Sequence, residues 1–190
     1  MTGKGMTVAN RITLIRFLLV PFFVGSLVYY EPQKDYLRLL AIVLFILAIA
    51  TDGLDGYIAR TRSQRSSLGV ILDPLADKLL LTSAFIVLAT LDSLPERFRI
   101  PPWVTIVVIS RDLFILSGSA VIYLITQNLK VHPSGLGKIT TFFQMVTVLL
   151  VLFGSNLRSI VCDVTALLTI LSGLGYLRDG TQLLNSSSSS

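Results

Sequence analysis

The chain has 190 residues, 53% of them hydrophobic and 14% charged, with a formal net charge of +5 and a mean hydropathy of +0.75. A water-soluble domain needs a charged surface, so this balance argues against one and for helices that cross about 30 Å of hydrocarbon. The length fits one domain, no basic arm or nucleic-acid motif is present, and the positive charge points to an anionic membrane leaflet and to phosphate-bearing substrates. The single cysteine, Cys162, excludes an intrachain disulfide and reads as a small core or lipid-facing residue.

Residues 1–10 lack an apolar run and are expected at the membrane surface. Six hydrophobic spans follow, at 14–30, 37–60, 68–91, 103–127, 138–153 and 160–177, each about long enough to cross a bilayer. The breaks carry turn chemistry: Glu31-Pro32-Gln33-Lys34-Asp35, the stretch from Asp92 to Pro102, and His132-Pro133-Ser134-Gly135. The first span is too long for a signal peptide and lacks a cleavage site. Residues 186–190 are a serine run, expected as a disordered tail after a single domain over 1–185. The expected fold class is all-α, a polytopic membrane protein with six transmembrane helices.

Charge sets the orientation. With the N-terminus inside, the inner segments and helix ends collect Lys4, Arg11, Arg16, Arg60, Arg62, Arg65, Lys78, Lys130, Lys138 and Arg178. The outer ones hold Lys34, Arg38, Arg97, Arg99 and Arg158. The bias places both termini in the cytoplasm. Trp103, Tyr29 and Tyr30 stand at span ends as interfacial anchors, and His132 reads as a solvent-facing loop residue.

The second and third spans carry an unusual set of acids. Asp52 and Asp55 are three apart and Asp73 and Asp77 four apart, so each pair falls on one helix face. The loop between the helices is short, which makes them antiparallel neighbours with both pairs near the cytoplasmic end. Carboxylates this close repel one another, and charge inside a membrane is costly. One or two Mg²⁺ or Mn²⁺ ions would compensate, because hard oxygen ligands suit them. The competing reading is helix capping or pairing with Arg60, Arg62, Arg65 and Lys78. Gly53, Gly56 and Gly69 leave backbone bare beside the acids, suited either to close approach of a nucleotide or to tight helix packing. A divalent-cation transporter would also bury carboxylates, but its path needs polar groups across the full thickness, and the outer halves of these spans are almost wholly apolar.

The run Asp52-x2-Asp55-Gly56-x2-Ala59-Arg60-x8-Gly69-x3-Asp73-x3-Asp77 resembles the signature of the CDP-alcohol phosphatidyltransferases at all eight fixed positions, and the six-span layout is similar along nearly the whole chain. The resemblance implies an enzyme with its active site at the cytoplasmic face of a bacterial-type inner membrane. It implies that CDP-diacylglycerol binds with its diphosphate on two metal ions held by Asp52, Asp55, Asp73 and Asp77. Asp77 would also be the catalytic base on the acceptor hydroxyl. Asp52, Gly56, Ala59, Arg60 and Gly69 would line the CDP site. A homodimer in contact with membrane lipids is expected on the same ground.

The acceptor alcohol rests on fewer residues. Asn10-x2-Thr13-x2-Arg16 resembles the opening of the phosphatidylglycerophosphate synthases and of the cardiolipin synthases in that superfamily. Ser110-Arg111-Asp112 and Gly137-Lys138-Ile139-Thr140 look like both. Arg111 is expensive in a membrane span unless it meets an anion, which an acceptor phosphate would supply; Lys138 and Arg16 could join it. The other readings are an Arg111–Asp112 pair, and snorkelling of Lys138 and Arg16 to the interface. The run from Pro133 to Thr140 favours glycerol 3-phosphate as acceptor, and Ser110-Arg111-Asp112 pulls toward phosphatidylglycerol.

Overall fold

In hydrocarbon a backbone N–H or C=O finds no water, so an apolar span satisfies its own groups by forming a helix. The computed structural model follows this rule. Its helices are α1 Val8–Val28, α2 Tyr36–Arg62, α3 Ser67–Thr90, α4 Pro102–Thr126, α5 Gly135–Leu152 and α6 Arg158–Ser187, with 3-10 turns at Pro32–Lys34 and Glu96–Phe98. The structure describes the backbone of residues 8–62, 67–126 and 135–187, and the side chains of 15, 17–51, 78–118 and 135–178. Among the described residues every regular element is helical, as expected. α6 continues to Ser187, past the apolar limit at 177, because hydropathy marks where lipid contact ends and not where helical hydrogen bonding stops.

Three stretches among the described residues are long and apolar enough to cross a membrane: Glu96–Gly118, Gly135–Leu152 and Arg158–Arg178. Shorter apolar helical stretches lie at Phe17–Val28, Tyr36–Thr51 and Lys78–Thr90.

The chain divides into two compact units, Met1–Arg99 and Ile100–Ser190. In the first, α1 packs on α2 and on α3. Phe23 and Phe45 are fully buried with ring centroids 5.6 Å apart, and Leu80, Leu81, Phe85 and Leu88 fill the rest of the core. Phe98 closes one end of this unit. Its buried ring meets Tyr30 edge-on at 6.4 Å, and the guanidinium carbons of Arg38 and Arg97 stand 4.7 and 4.6 Å from its centroid. Asp35, just before α2, accepts two hydrogen bonds of 2.7 Å from Arg38, one from Nε and one from Nη2. The Arg38 guanidinium holds the Asp35 carboxyl below its ordinary value of 3.8, with a smaller contribution from Arg97.

In the second unit α6 packs on both α4 and α5. The turn from α5 to α6 is a Schellman motif: Ser155 N–H donates to the Leu150 carbonyl at 3.0 Å and Gly154 N–H to that of Val151 at 2.9 Å. Gly154 has φ 66°, a left-handed conformation that glycine adopts without strain. Thr147 on α5 and Thr165 on α6 share a hydrogen bond of 2.7 Å, and Thr140 Oγ1 donates to the Leu168 carbonyl at 3.2 Å. As α5 advances its partner on α6 recedes, so the two helices are antiparallel.

Polarity runs opposite to that of a water-soluble bundle. Phe22, Ile106 and Phe114 are 67%, 64% and 68% exposed, while Thr147, Thr165, Thr169 and Gln144 are fully buried. Apolar side chains outside and hydroxyls between helices are how helices pack in lipid, where no hydrophobic force holds them and small polar groups link them. The protein is a membrane protein.

Candidate functional site

The signature residues fall on two helices. α2 carries positions 52, 55, 56, 59 and 60, and α3 carries 69, 73 and 77. Both helices run unbroken through these positions, so 52 and 55 share a face of α2, and 73 and 77 share a face of α3. The side chains of Asp52, Asp55, Ala59, Arg60, Asp73 and Asp77 lie outside the described residues, as do the surroundings of Gly56 and Gly69 and the side chain of Arg16 on α1. Among the described residues no group of three or more His, Cys, Asp or Glu could hold a metal ion. The donor chemistry that fits Mg²⁺ or Mn²⁺ is that of the four signature carboxylates.

The acceptor candidates Arg111 and Lys138 are described, and both belong to the second unit. Arg111, on α4, donates from Nη1 to Asp112 Oδ1 and from Nη2 to Ser172 Oγ on α6, each at 2.7 Å. The Arg111 and Asp112 side chains are only 9% and 8% exposed. Of the two readings the sequence left for Arg111, the pair with Asp112 is therefore present, and it removes the charge penalty without an outside anion. It leaves the guanidinium incompletely satisfied, because Nε is buried and has no hydrogen-bond partner. A Cβ placed on Gly173 would stand 3.5 Å from Arg111 Cγ, so the arginine stem lies along a glycine of α6.

Lys138 is exposed on α5. The α5–α6 register brings it level with Arg111. Leu136 stands opposite Gly175, 4.0 Å from where its Cβ would be, and Thr140 reaches the carbonyl of Leu168. Ser172, which holds Arg111, lies between those two levels on α6. A cavity of about 310 Å³ opens between α4 and α6, with Ser110, Arg111, Thr169 and Gly173 among otherwise apolar lining residues such as Phe114 and Leu174.

Two polar residues of this unit escape a reading of the sequence. Ser172 stands three residues after Thr169 on α6, and nothing in its spacing marks it as the partner of an arginine 61 positions away. Gln144 is fully buried and neither its amide nitrogen nor its amide oxygen has a partner. One signal was available: each belongs to a polar stripe at helical spacing, Thr140, Gln144 and Thr147 on α5 and Thr165, Thr169 and Ser172 on α6, in a membrane helix where a polar side chain is costly.

Comparison with known proteins bears on the whole chain. The sequence model of the family described as CDP-alcohol phosphatidyltransferase matches residues 6–171. A protein of Mycobacterium tuberculosis (strain CDC 1551 / Oshkosh) named "Probable phosphatidylglycerophosphate synthase" is 34% identical over 174 residues, covering 88% of this chain and 78% of its own. A Bacillus subtilis (strain 168) protein named "CDP-diacylglycerol--glycerol-3-phosphate 3-phosphatidyltransferase" is 36% identical over 148 residues, covering 73% and 72%. One of the same name from Aquifex aeolicus (strain VF5) is 30% identical over 192 residues, covering 94% and 98%. Together with the eight signature positions on α2 and α3, these matches establish that the chain belongs to the CDP-alcohol phosphatidyltransferase family.

Proposed function

We propose that the protein transfers the phosphatidyl group of CDP-diacylglycerol to glycerol 3-phosphate and releases CMP. The observation that carries this reading is the similarity, over 73% of the chain for the Bacillus subtilis protein and 94% for the Aquifex aeolicus one, to bacterial proteins named for that reaction, on a chain that keeps every signature residue.

Asp52, Asp55, Asp73 and Asp77 would hold two Mg²⁺ or Mn²⁺ ions, which when bound supply positive charge against the diphosphate. Gly56, Ala59, Arg60 and Gly69, with Asp52, would line the site for the cytidine diphosphate portion. Asp77 accepts the proton of the acceptor hydroxyl as its oxygen bonds to the phosphorus that carries diacylglycerol. The bond from that phosphorus to the bridging oxygen breaks, and CMP leaves with the electron pair. Arg111 and Lys138, level with each other in their unit, with Arg16 from α1, would bind the acceptor's phosphate. Six membrane crossings, both termini in the cytoplasm, the active site at the cytoplasmic face of an inner membrane, and a homodimer among membrane lipids belong to the same reading. The excess of Lys and Arg at the inner ends supports the orientation.

Phosphatidylglycerol is the second acceptor to test, because Ser110-Arg111-Asp112 resembles the cardiolipin synthases as well. Purified protein with Mg²⁺ and CDP-diacylglycerol is expected to release CMP when glycerol 3-phosphate is added. Release with phosphatidylglycerol alone would transfer the reading to that acceptor. No release with either would overturn it.

A further inference from the structure

We propose that Ser172 is a positioning residue for the acceptor's phosphate, acting through Arg111; the proposal rests on the function proposed above. Ser172 is 1% exposed, and its Oγ accepts from Arg111 Nη2 at 2.7 Å across the α4–α6 interface. Asp112 takes Nη1 of the same guanidinium at 2.7 Å. A planar group held at two of its three nitrogens cannot turn about its last bond, so its remaining N–H directions are fixed. Asp112 follows Arg111 directly on α4 and needs no second helix to reach it. Ser172 comes from α6, and its bond sets where the fork stands relative to that helix.

The arrangement is unlike a purely structural arginine, which buries its donors fully paired. Nε of Arg111 is buried with no partner, so the guanidinium keeps a donor that neither Asp112 nor Ser172 takes. The α5–α6 register places Ser172 level with Lys138. A guanidinium with one unpaired donor, aligned from two sides and level with an exposed ammonium, suits a phosphate monoester.

The test is steady-state kinetics on the full-length protein in lipid nanodiscs with Mg²⁺. CDP-diacylglycerol and glycerol 3-phosphate are varied in turn, for the wild type, Ser172→Ala and Ser172→Thr. Loss of one hydrogen bond to a charged group is expected to raise KM for glycerol 3-phosphate about tenfold in Ser172→Ala. KM for CDP-diacylglycerol stays at the wild-type value, and Ser172→Thr, which keeps the hydroxyl, restores the glycerol 3-phosphate KM. An unchanged KM for glycerol 3-phosphate in Ser172→Ala overturns the proposal. So does a parallel change in both KM values that threonine fails to correct, which would mark general damage to the α4–α6 packing. A wild-type protein with no activity on glycerol 3-phosphate is a different result and overturns the function reading itself.

Discussion

Thr147 and Thr165 hydrogen-bond to each other at 2.7 Å with both side chains wholly out of contact with solvent, joining α5 to α6. Each also has the Phe143 carbonyl of α5 within reach, at 2.9 Å from Thr147 and 3.4 Å from Thr165. Removing one hydroxyl therefore leaves the other with an alternative. Thr147→Val is expected to cost about 0.6 kcal/mol, the usual size of an interhelical hydrogen bond in lipid. The Thr147→Val/Thr165→Val double variant should cost less than the two single effects summed. Reversible unfolding in mixed detergent, run as a double-mutant cycle, measures both.

Gly118 and Tyr176 set how closely α4 approaches α6. A Cβ at 118 would lie 2.9 Å from Tyr176 Cε1 and 3.1 Å from its hydroxyl oxygen, so the ring would have to move. Gly118→Ala is expected to destabilise the protein by about 1–3 kcal/mol, the range for overpacking. A second change, Tyr176→Leu, should recover part of that loss. Equal unfolding midpoints for Gly118→Ala and the wild type would show that the ring relocates at no cost.

Asp35 gives a pH dependence of known sign. Its folded-state pKa lies below the ordinary 3.8 because Arg38 hydrogen-bonds to the ionised form. A group with a depressed folded pKa stabilises the fold above its unfolded value and loses that contribution as pH falls through the folded one. Asp35→Asn is thus expected to lower the unfolding temperature at pH 7, and the gap from the wild type should close below about pH 3.8. Calorimetry at several pH values checks it. The Asp35 side chain is half exposed, so the effect is small and shrinks with added salt.

The signature supplies the largest expected loss. Asp77→Asn keeps the side chain's size but removes the proposed base and one carboxylate of the proposed metal set. CMP release is expected to fall by at least about 100-fold, the scale of general-base catalysis. Chelation of divalent ions should stop release in the wild type, and Mg²⁺ or Mn²⁺ should restore it. Substantial turnover by Asp77→Asn would require another base.

Much of this was legible in the sequence. The expected span at 103–127 became α4 Pro102–Thr126, and that at 138–153 became α5 Gly135–Leu152, because an apolar run in hydrocarbon has little choice but helix. The family was legible too, since Asp52 to Asp77 fix eight positions within one short stretch. Contacts between distant residues were not. Arg111 offered an adjacent carboxylate that the sequence shows and a serine 61 positions on that it does not. Gln144 looks like one more polar residue until its burial is known. Periodicity says which residues share a helix face, whereas helix register and crossing decide which faces meet.

The Gly154 turn also bears on how the protein is made. It closes α5 and α6 into a hairpin by backbone bonds and one bond from Leu157 N–H to Ser155 Oγ, and residues 153–157 include no charged side chain. In the proposed orientation that turn is the part a translocation machinery must carry across the bilayer, with Arg158 the first charge after it. A tight, uncharged bend lets the two helices enter lipid together, with the threonines of each already facing a partner, so neither helix need present its hydroxyls to lipid alone. Substituting Gly154 with a β-branched residue should therefore show first as poor insertion during synthesis, before any defect in the finished enzyme.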